Sequence, residues 1–249
     1  MFHVAALVPS PPVLVPELGG AAGVAEGAEV TALRAAVLGV GRDLARRASR
    51  WVVVGVSDTD RHVGSEAVGT FRGFGVDVRV GLSAAALAND TAADPSLPLP
   101  VLIGAWLRGQ VATETEARAH LLAADTPAAS AAEFGAALRE KLDAEAEPYG
   151  VLVVGDGAAT LTTASPRYFD ERAEAVQAEI DRALTAGDRK ALAALDSELC
   201  AELHVAGRPA FQALAGLFTA DAPHIETSYA AAPFGVGYHV GLWLPEDAR

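Results

Sequence analysis

Three polar clusters each follow a run of residues of the kind that builds a buried strand. Ser10 follows Phe2 to Val8, Asp58, Asp60 and His62 follow Trp51 to Val56, and Asp156 follows Val151 to Val154. In open α/β sheets, ligands bind beyond the carboxyl ends of the strands. If the three runs are neighbouring strands, their polar ends converge on one crevice. A further polar group, His224, Glu226, Ser228 and Tyr229, lies near the last pair of apolar runs. Ser10, Asp58, Asp60, His62, Asp156 and Tyr229 are therefore the candidate lining residues, with no catalytic residue or metal ligand assigned. In an extended segment, Asp58, Asp60 and His62 would share one side. Two carboxylates and an imidazole could then hold a divalent cation, helped by His3 or the His224/Glu226 pair. The same residues also make a polar turn, in which Asp side chains accept backbone N–H groups, and that is their more common use.

Other chemistries find little support. Cys200 stands alone, which excludes an intramolecular disulfide and a cysteine-built metal site. No basic residue adjoins it in sequence, so it reads as a small buried apolar residue. Gly235-Val236-Gly237 lacks the third glycine and the strand-to-helix setting of a dinucleotide site. Gly155-Asp156-Gly157 lacks the Lys-Ser/Thr of a phosphate loop, and no Gly-x-Ser-x-Gly elbow is present. His3 reads as a satisfied imidazole within a strand. His120 and His204 fall in ordinary amphipathic contexts, and alternation places His239 and Tyr238 on opposite faces of one strand.

Apolar residues at Val30, Leu33, Val37, Val40 and Leu44 fall on one helix face, with Thr31 near its start as a cap. Trp51 to Val56 and Val151 to Val154 read as strands buried on both faces. Val76 to Val80 and His120 to Ala124 read as further strands, Val101 to Leu107 and Ala131 to Ala146 as helices, and Gly19 to Gly27 as loop. Asp170 to Phe218 is mostly helical, broken at Gly187-Asp188 and at Gly207-Arg208-Pro209. His224 to Ala230 and Gly237 to Leu244 form a hairpin. The pattern predicts one α/β domain over residues 1–249, with a mainly parallel central sheet flanked by helices.

The 249 residues carry 19 Lys and Arg against 32 Asp and Glu, a net charge of −13. Such a chain repels phosphate backbones and anionic bilayers, so neither nucleic acid nor a membrane is an expected partner. Hydrophobic residues at 51% fill a core and exclude disorder. The N-terminal apolar segment is cut by Pro9, Pro11, Pro12 and Pro16 and has no basic stretch before it, so it makes a poor secretion signal. No apolar run approaches the ~18 residues of a membrane span. A cytoplasmic protein is expected.

The segments and their order resemble the LigB-like superfamily of class III extradiol ring-cleavage dioxygenases, and more distantly the Memo-type proteins. The resemblance covers almost the whole chain. It rests on Ala6-Leu7-Val8-Pro9-Ser10-Pro11-Pro12, Trp51 to Asp58, Gly69-Thr70-Phe71-Arg72-Gly73, Val153-Val154-Gly155-Asp156-Gly157, Ser165-Pro166-Arg167-Tyr168-Phe169-Asp170, Ser228-Tyr229 and Pro233-Phe234-Gly235-Val236-Gly237-Tyr238. It implies a LigB-like fold. Active members of this family hold non-haem Fe(II) through two His and one Glu and use a further His as acid/base. Here Ser10 stands at the first ligand position, Asp58 at the second and Ala159 at the acid/base position. Ala230, Ala231 and Ala232 fill the stretch expected to bring the carboxylate ligand. The resemblance therefore implies a branch with a degenerate iron site and no expected cofactor, binding a small molecule or a partner in the ancestral crevice. The alternative is an active metal-dependent oxidoreductase of the ring-opening dioxygenase type, using Fe(II) at a site rebuilt around Asp58, Asp60 and His62. Family members pair with a small helical protein or form dimers, which leaves a homo-oligomer or a partner subunit open.

Overall fold

The computed structural model describes residues 1–19, 27–89 and 91–246. The elements in chain order are β1 (Phe2–Val8), α1 (Ala28–Arg47), β2 (Arg50–Ser57), β3 (Arg61–Val63), β4 (Val68–Thr70), β5 (Arg79–Gly81), α2 (Ala84–Ala88), α3 (Leu99–Val111), β6 (Glu116–Ala123), α4 (Ala128–Asp143) and β7 (Tyr149–Val154). They are followed by α5 (Ala173–Ala186), α6 (Arg189–Ala193), α7 (Ser197–Glu202), α8 (Arg208–Leu217), β8 (His224–Ala231) and β9 (Tyr238–Leu244).

Seven strands form one sheet in the order β3-β6-β2-β7-β1-β9-β8. The four central strands, β6, β2, β7 and β1, run parallel. The strands outside them pair antiparallel. This is the α/β architecture read from the sequence, and the central strands are its continuous apolar runs. β-branched side chains suit a sheet covered on both faces. Alternate residues divide between two cores. Val4, Ala6, Val53, Leu152 and Val154 face α1 and α3. Ala5, Leu7, Val52, Val54, Val151 and Val153 face α4, α5 and α8. Among the described residues, no helix is long and apolar enough to cross a membrane.

Several local expectations shift. The residues expected as loop at Gly19 to Gly27 lie largely outside the described residues. Helix α1 begins at Ala28, so Thr31 sits within its first turn, and its hydroxyl donates to the Gly27 carbonyl instead of capping. The strand expected at Val76 to Val80 is confined to Arg79–Gly81. Asp77 is held in the preceding turn by the Thr70 hydroxyl at 2.6 Å and by Arg72 at 2.5 Å. The helical stretch begins at Ala173, not Asp170, and has an extra break at Asp196, whose carboxylate caps α7 through Leu199 N at 2.7 Å. The break expected at Gly207-Arg208-Pro209 falls between α7 and α8, with Arg208 and Pro209 opening α8. Proline is tolerated there because a first-turn N–H has no intrahelical partner in any case.

The packing of α4 on α8 depends on two glycines. A Cβ at Gly135 would lie 2.0 Å from the Ala213 carbonyl oxygen, and one at Gly216 would lie 2.1 Å from that of Ala132. Backbone cannot retreat as a flexible side chain can, so the helices approach only where no Cβ intervenes. Gly135→Ala is expected to destabilise the protein by about 1–3 kcal/mol, the usual cost of overpacking. Urea unfolding checks this, and an unchanged midpoint would contradict the close approach.

Candidate functional site

β7 lies between β1 and β2, so the three sequence-derived strand ends are neighbours. Ser10 and Asp156, each two residues beyond its strand, meet directly. The Ser10 N–H donates to Asp156 Oδ1 at 2.8 Å and its hydroxyl to Oδ2 at 2.6 Å. Ser10 is buried and Asp156 is half-buried. Loss of solvent pushes the Asp156 carboxyl above its ordinary value, although both Ser10 bonds act to lower it.

The neighbouring loops fix this pair. Gly207 N donates to the Asp156 carbonyl at 2.7 Å, which joins the loop after β7 to the start of α8. Gly157 N donates to the Gly237 carbonyl at 2.8 Å, and Gly237 N to that of Ala158 at 2.9 Å. Gln177, on α5, braces the joint by accepting from Ala158 N at 2.9 Å. A Cβ at either Gly157 or Gly237 would meet the Gln177 amide at 2.1 Å, which accounts for both glycines.

β9 brings Tyr238 to the same end of the sheet. Its phenol is pushed well above the usual range by burial first, then by the Asp156 carboxyl and by Tyr229. Tyr229 is also raised, mainly by burial. Tyr238 thus stands near Asp156, and Tyr229, on the adjacent strand β8, lies near Tyr238. Both phenols remain protonated at neutral pH. The cluster offers hydroxyls and one carboxyl, which suits hydrogen bonding to a hydroxylated or cationic molecule.

Asp58, Asp60 and His62 do not continue one extended segment. The chain bends at Asp58 and Thr59, passes the end of β6, and returns as β3 antiparallel to it. Asp60 Oδ1 accepts from Ala123 N at 2.7 Å and so ties the turn to β6. Asp58 is exposed. His62 stands opposite His120, with ring centroids 4.6 Å apart. This is the polar-turn reading of those residues. His224 and Glu226 are exposed on the outer strand β8, 3.9 Å apart. His239 faces away from Tyr238, toward Asp181 on α5 at 3.3 Å.

Two clefts border the loop after β7. One, of about 990 Å³, is lined by the segment from Thr160 to Asp170 together with Glu202 and His204. Arg172 links its Asp170 and Glu202 walls, at 2.7 and 2.8 Å. The Arg172 hydrogen bonds bring the Asp170 carboxyl down to about 2. The other cleft, of about 390 Å³, is walled by Ala124, Ala159, Arg167, Cys200, His204 and Arg208. Burial pushes the Cys200 thiol up to about 11, so it stays protonated. His204 lines both clefts and is the one described non-glycine residue with positive φ, at 53°. Buried Arg208 ties α8 to the loop after β6 through the Ala124 and Thr126 carbonyls at 2.9 and 3.0 Å. Sequence reasoning missed Arg208 and the positions of Tyr238 and His204. For Tyr238, the alternation with His239 was the available signal.

The two His and one Glu by which active members of the resembled family hold iron have no counterparts in these side chains. Ser10 is bonded to Asp156, Asp58 is exposed, and alanine occupies position 159. Among the described residues, no three His, Cys, Asp or Glu side chains are grouped to hold a metal ion.

No family model matches the chain, and no curated protein matches it. Its fold is similar to the crystal structure of an uncharacterized protein from Escherichia coli K12. The TM-score is 0.56 at 13% identity, over 97% of this chain and 99% of the other. That likeness carries the architecture alone.

Ionising Asp156 opposes folding because its folded value lies above the ordinary 3.8. The penalty is absent below 3.8 and complete above the raised value. Asp156→Asn keeps an acceptor for Ser10 N–H and removes the charge. The stability of this variant relative to the native chain should therefore rise from acid to neutral pH, as read from urea midpoints. A pH-independent difference would contradict the burial of this carboxyl.

Proposed function

We propose that the chain is a LigB-like protein, related to the extradiol dioxygenases but with a degenerate iron site, which binds a small hydroxylated or cationic molecule in the crevice at Ser10 and Asp156. The observation that carries this reading is the double hydrogen bond between those two residues. It lies at the carboxyl ends of adjacent parallel strands, the ligand-binding end of open α/β sheets. Ser10 also occupies the place where active relatives carry their first iron-binding histidine. A hydroxyl and a carboxyl recognise ligand O–H or N–H groups, and the Tyr229 and Tyr238 phenols supply further donors. The likeness of fold to the E. coli protein supports an α/β scaffold of this size and adds nothing about a ligand.

Catechol and a set of small diols and amines, titrated by calorimetry into the native chain, test the reading. At least one should bind, and Asp156→Ala should weaken it by about tenfold or more, the usual effect of losing a charged hydrogen-bond partner. Asp58→Ala, in the outer turn, should have a smaller effect. Affinities unchanged in Asp156→Ala for every compound that binds, or binding by none, would place the function elsewhere.

A further inference from the structure

At the opposite end of the sheet, a cleft of about 420 Å³ opens beside the amino ends of β2, β6 and β7. That volume is within the range of small-molecule sites. Trp51, Arg118, Tyr149, Lys141 and His62 stand on its wall, with the paired Arg50 and Glu116. Three buried nitrogens of these residues have no hydrogen-bond acceptor: the Trp51 indole Nε1 and the Arg118 Nε and Nη2. Trp51 is only 1% exposed. Native proteins rarely bury such donors unpaired, because each gives up water and gains nothing in return.

Arg118 is also without a carboxylate. Its guanidinium lies over the Tyr149 ring, 5.3 Å from the centroid. The acids nearby are occupied or exposed. Glu116 accepts from Arg50 and from the Ser65 hydroxyl, Glu147 accepts from Arg50 at 3.0 Å, and Glu66 is exposed on the wall. Lys141 adds a second cation free of any ion pair among the described residues. The surroundings are positive enough to be felt by His120. Burial, and then repulsion from His62, Arg118 and Lys141, holds its imidazole down at about 4. On the wall, Arg50, Arg118 and Lys141 stand against Glu66 and Glu116, an excess of one cation in a chain whose net charge is −13.

We infer that this cleft is a second binding site, taking the oxyanion of a small molecule, a phosphate or carboxylate group held by Arg118 and Lys141. A guanidinium fork matches both groups geometrically, and the Tyr149 ring lies against it. The site is independent of the Ser10–Asp156 crevice, and either can fail without the other.

Inorganic phosphate and acetate, titrated separately into the full chain, test the inference. The side-chain N–H signal of Arg118 Nε is followed by nitrogen-edited NMR, with sodium chloride at matched ionic strength as control. One of the two oxyanions should shift this signal saturably, and which one does so identifies the group. Arg118→Lys keeps the charge and loses the fork, and it should weaken binding by about tenfold. Lys141→Ala, at an exposed position, should weaken it by a few-fold and is expected to fold normally. Shifts reproduced by chloride would mean an adventitious ion only and would overturn the inference. Non-saturating shifts, or affinities unchanged in both variants, would do the same.

Discussion

The arrangement of the carboxyl-end site depends on the contact between Ser10 and Asp156. Two adjacent parallel strands end with one residue giving both its backbone N–H and its hydroxyl to the carboxylate of the other. That contact takes a carboxyl out of water and fixes both loops at once. The loop after β7 then has little freedom. Its backbone is held by Gly207 on one side and by Gly237 on the other, and Gln177 fills the space that any side chain at 157 or 237 would need. Tyr238 approaches this pair from β9, with Tyr229 near it on β8.

The two ends of the sheet have opposite characters. The carboxyl end carries a half-buried acid with hydroxyl neighbours, and the amino end carries cations with unused donors. Both follow from strand polarity. In parallel strands, the polar residues that terminate each run collect at one end or the other. The helices on both faces leave these ends as the places where side chains can reach solvent and a ligand together. The net negative charge of the chain is therefore no guide to the sign of the field at either site.

Much of this was legible in the residues. The strands at Phe2–Val8, Arg50–Ser57 and Tyr149–Val154 announce themselves by apolar, largely β-branched runs, and α1 by spacings of three and four. Ser10, Asp156 and Tyr229 could be grouped because each falls at or near the end of an apolar run. Strand β3 could not be read, since Arg61-His62-Val63 has neither the length nor the alternation of a strand, and only its pairing with β6 makes it one. Its existence redirects Asp60 to Ala123 and His62 to His120, away from the shared face that alternation implied. Arg118 was hidden for a related reason. Glu116 to Ala119 alternates charged residues with alanine, a weak strand signal, and the significance of a basic side chain there appears only when its burial is known. His204 gives no signal in sequence, because its left-handed backbone results from a turn between two short helices.

The proposed function makes the Ser10 and Asp156 end of the sheet a hydrogen-bonding site rather than a metal centre. Anaerobic titration of metal-stripped protein with Fe(II), and with Mn(II) and Zn(II) in parallel, measures this by calorimetry. With Ser10 and Asp156 bonded to each other and no grouped donor set among the described residues, no stoichiometric uptake of any of the three is expected. Uptake of one ion per chain at micromolar affinity or tighter would contradict the claim.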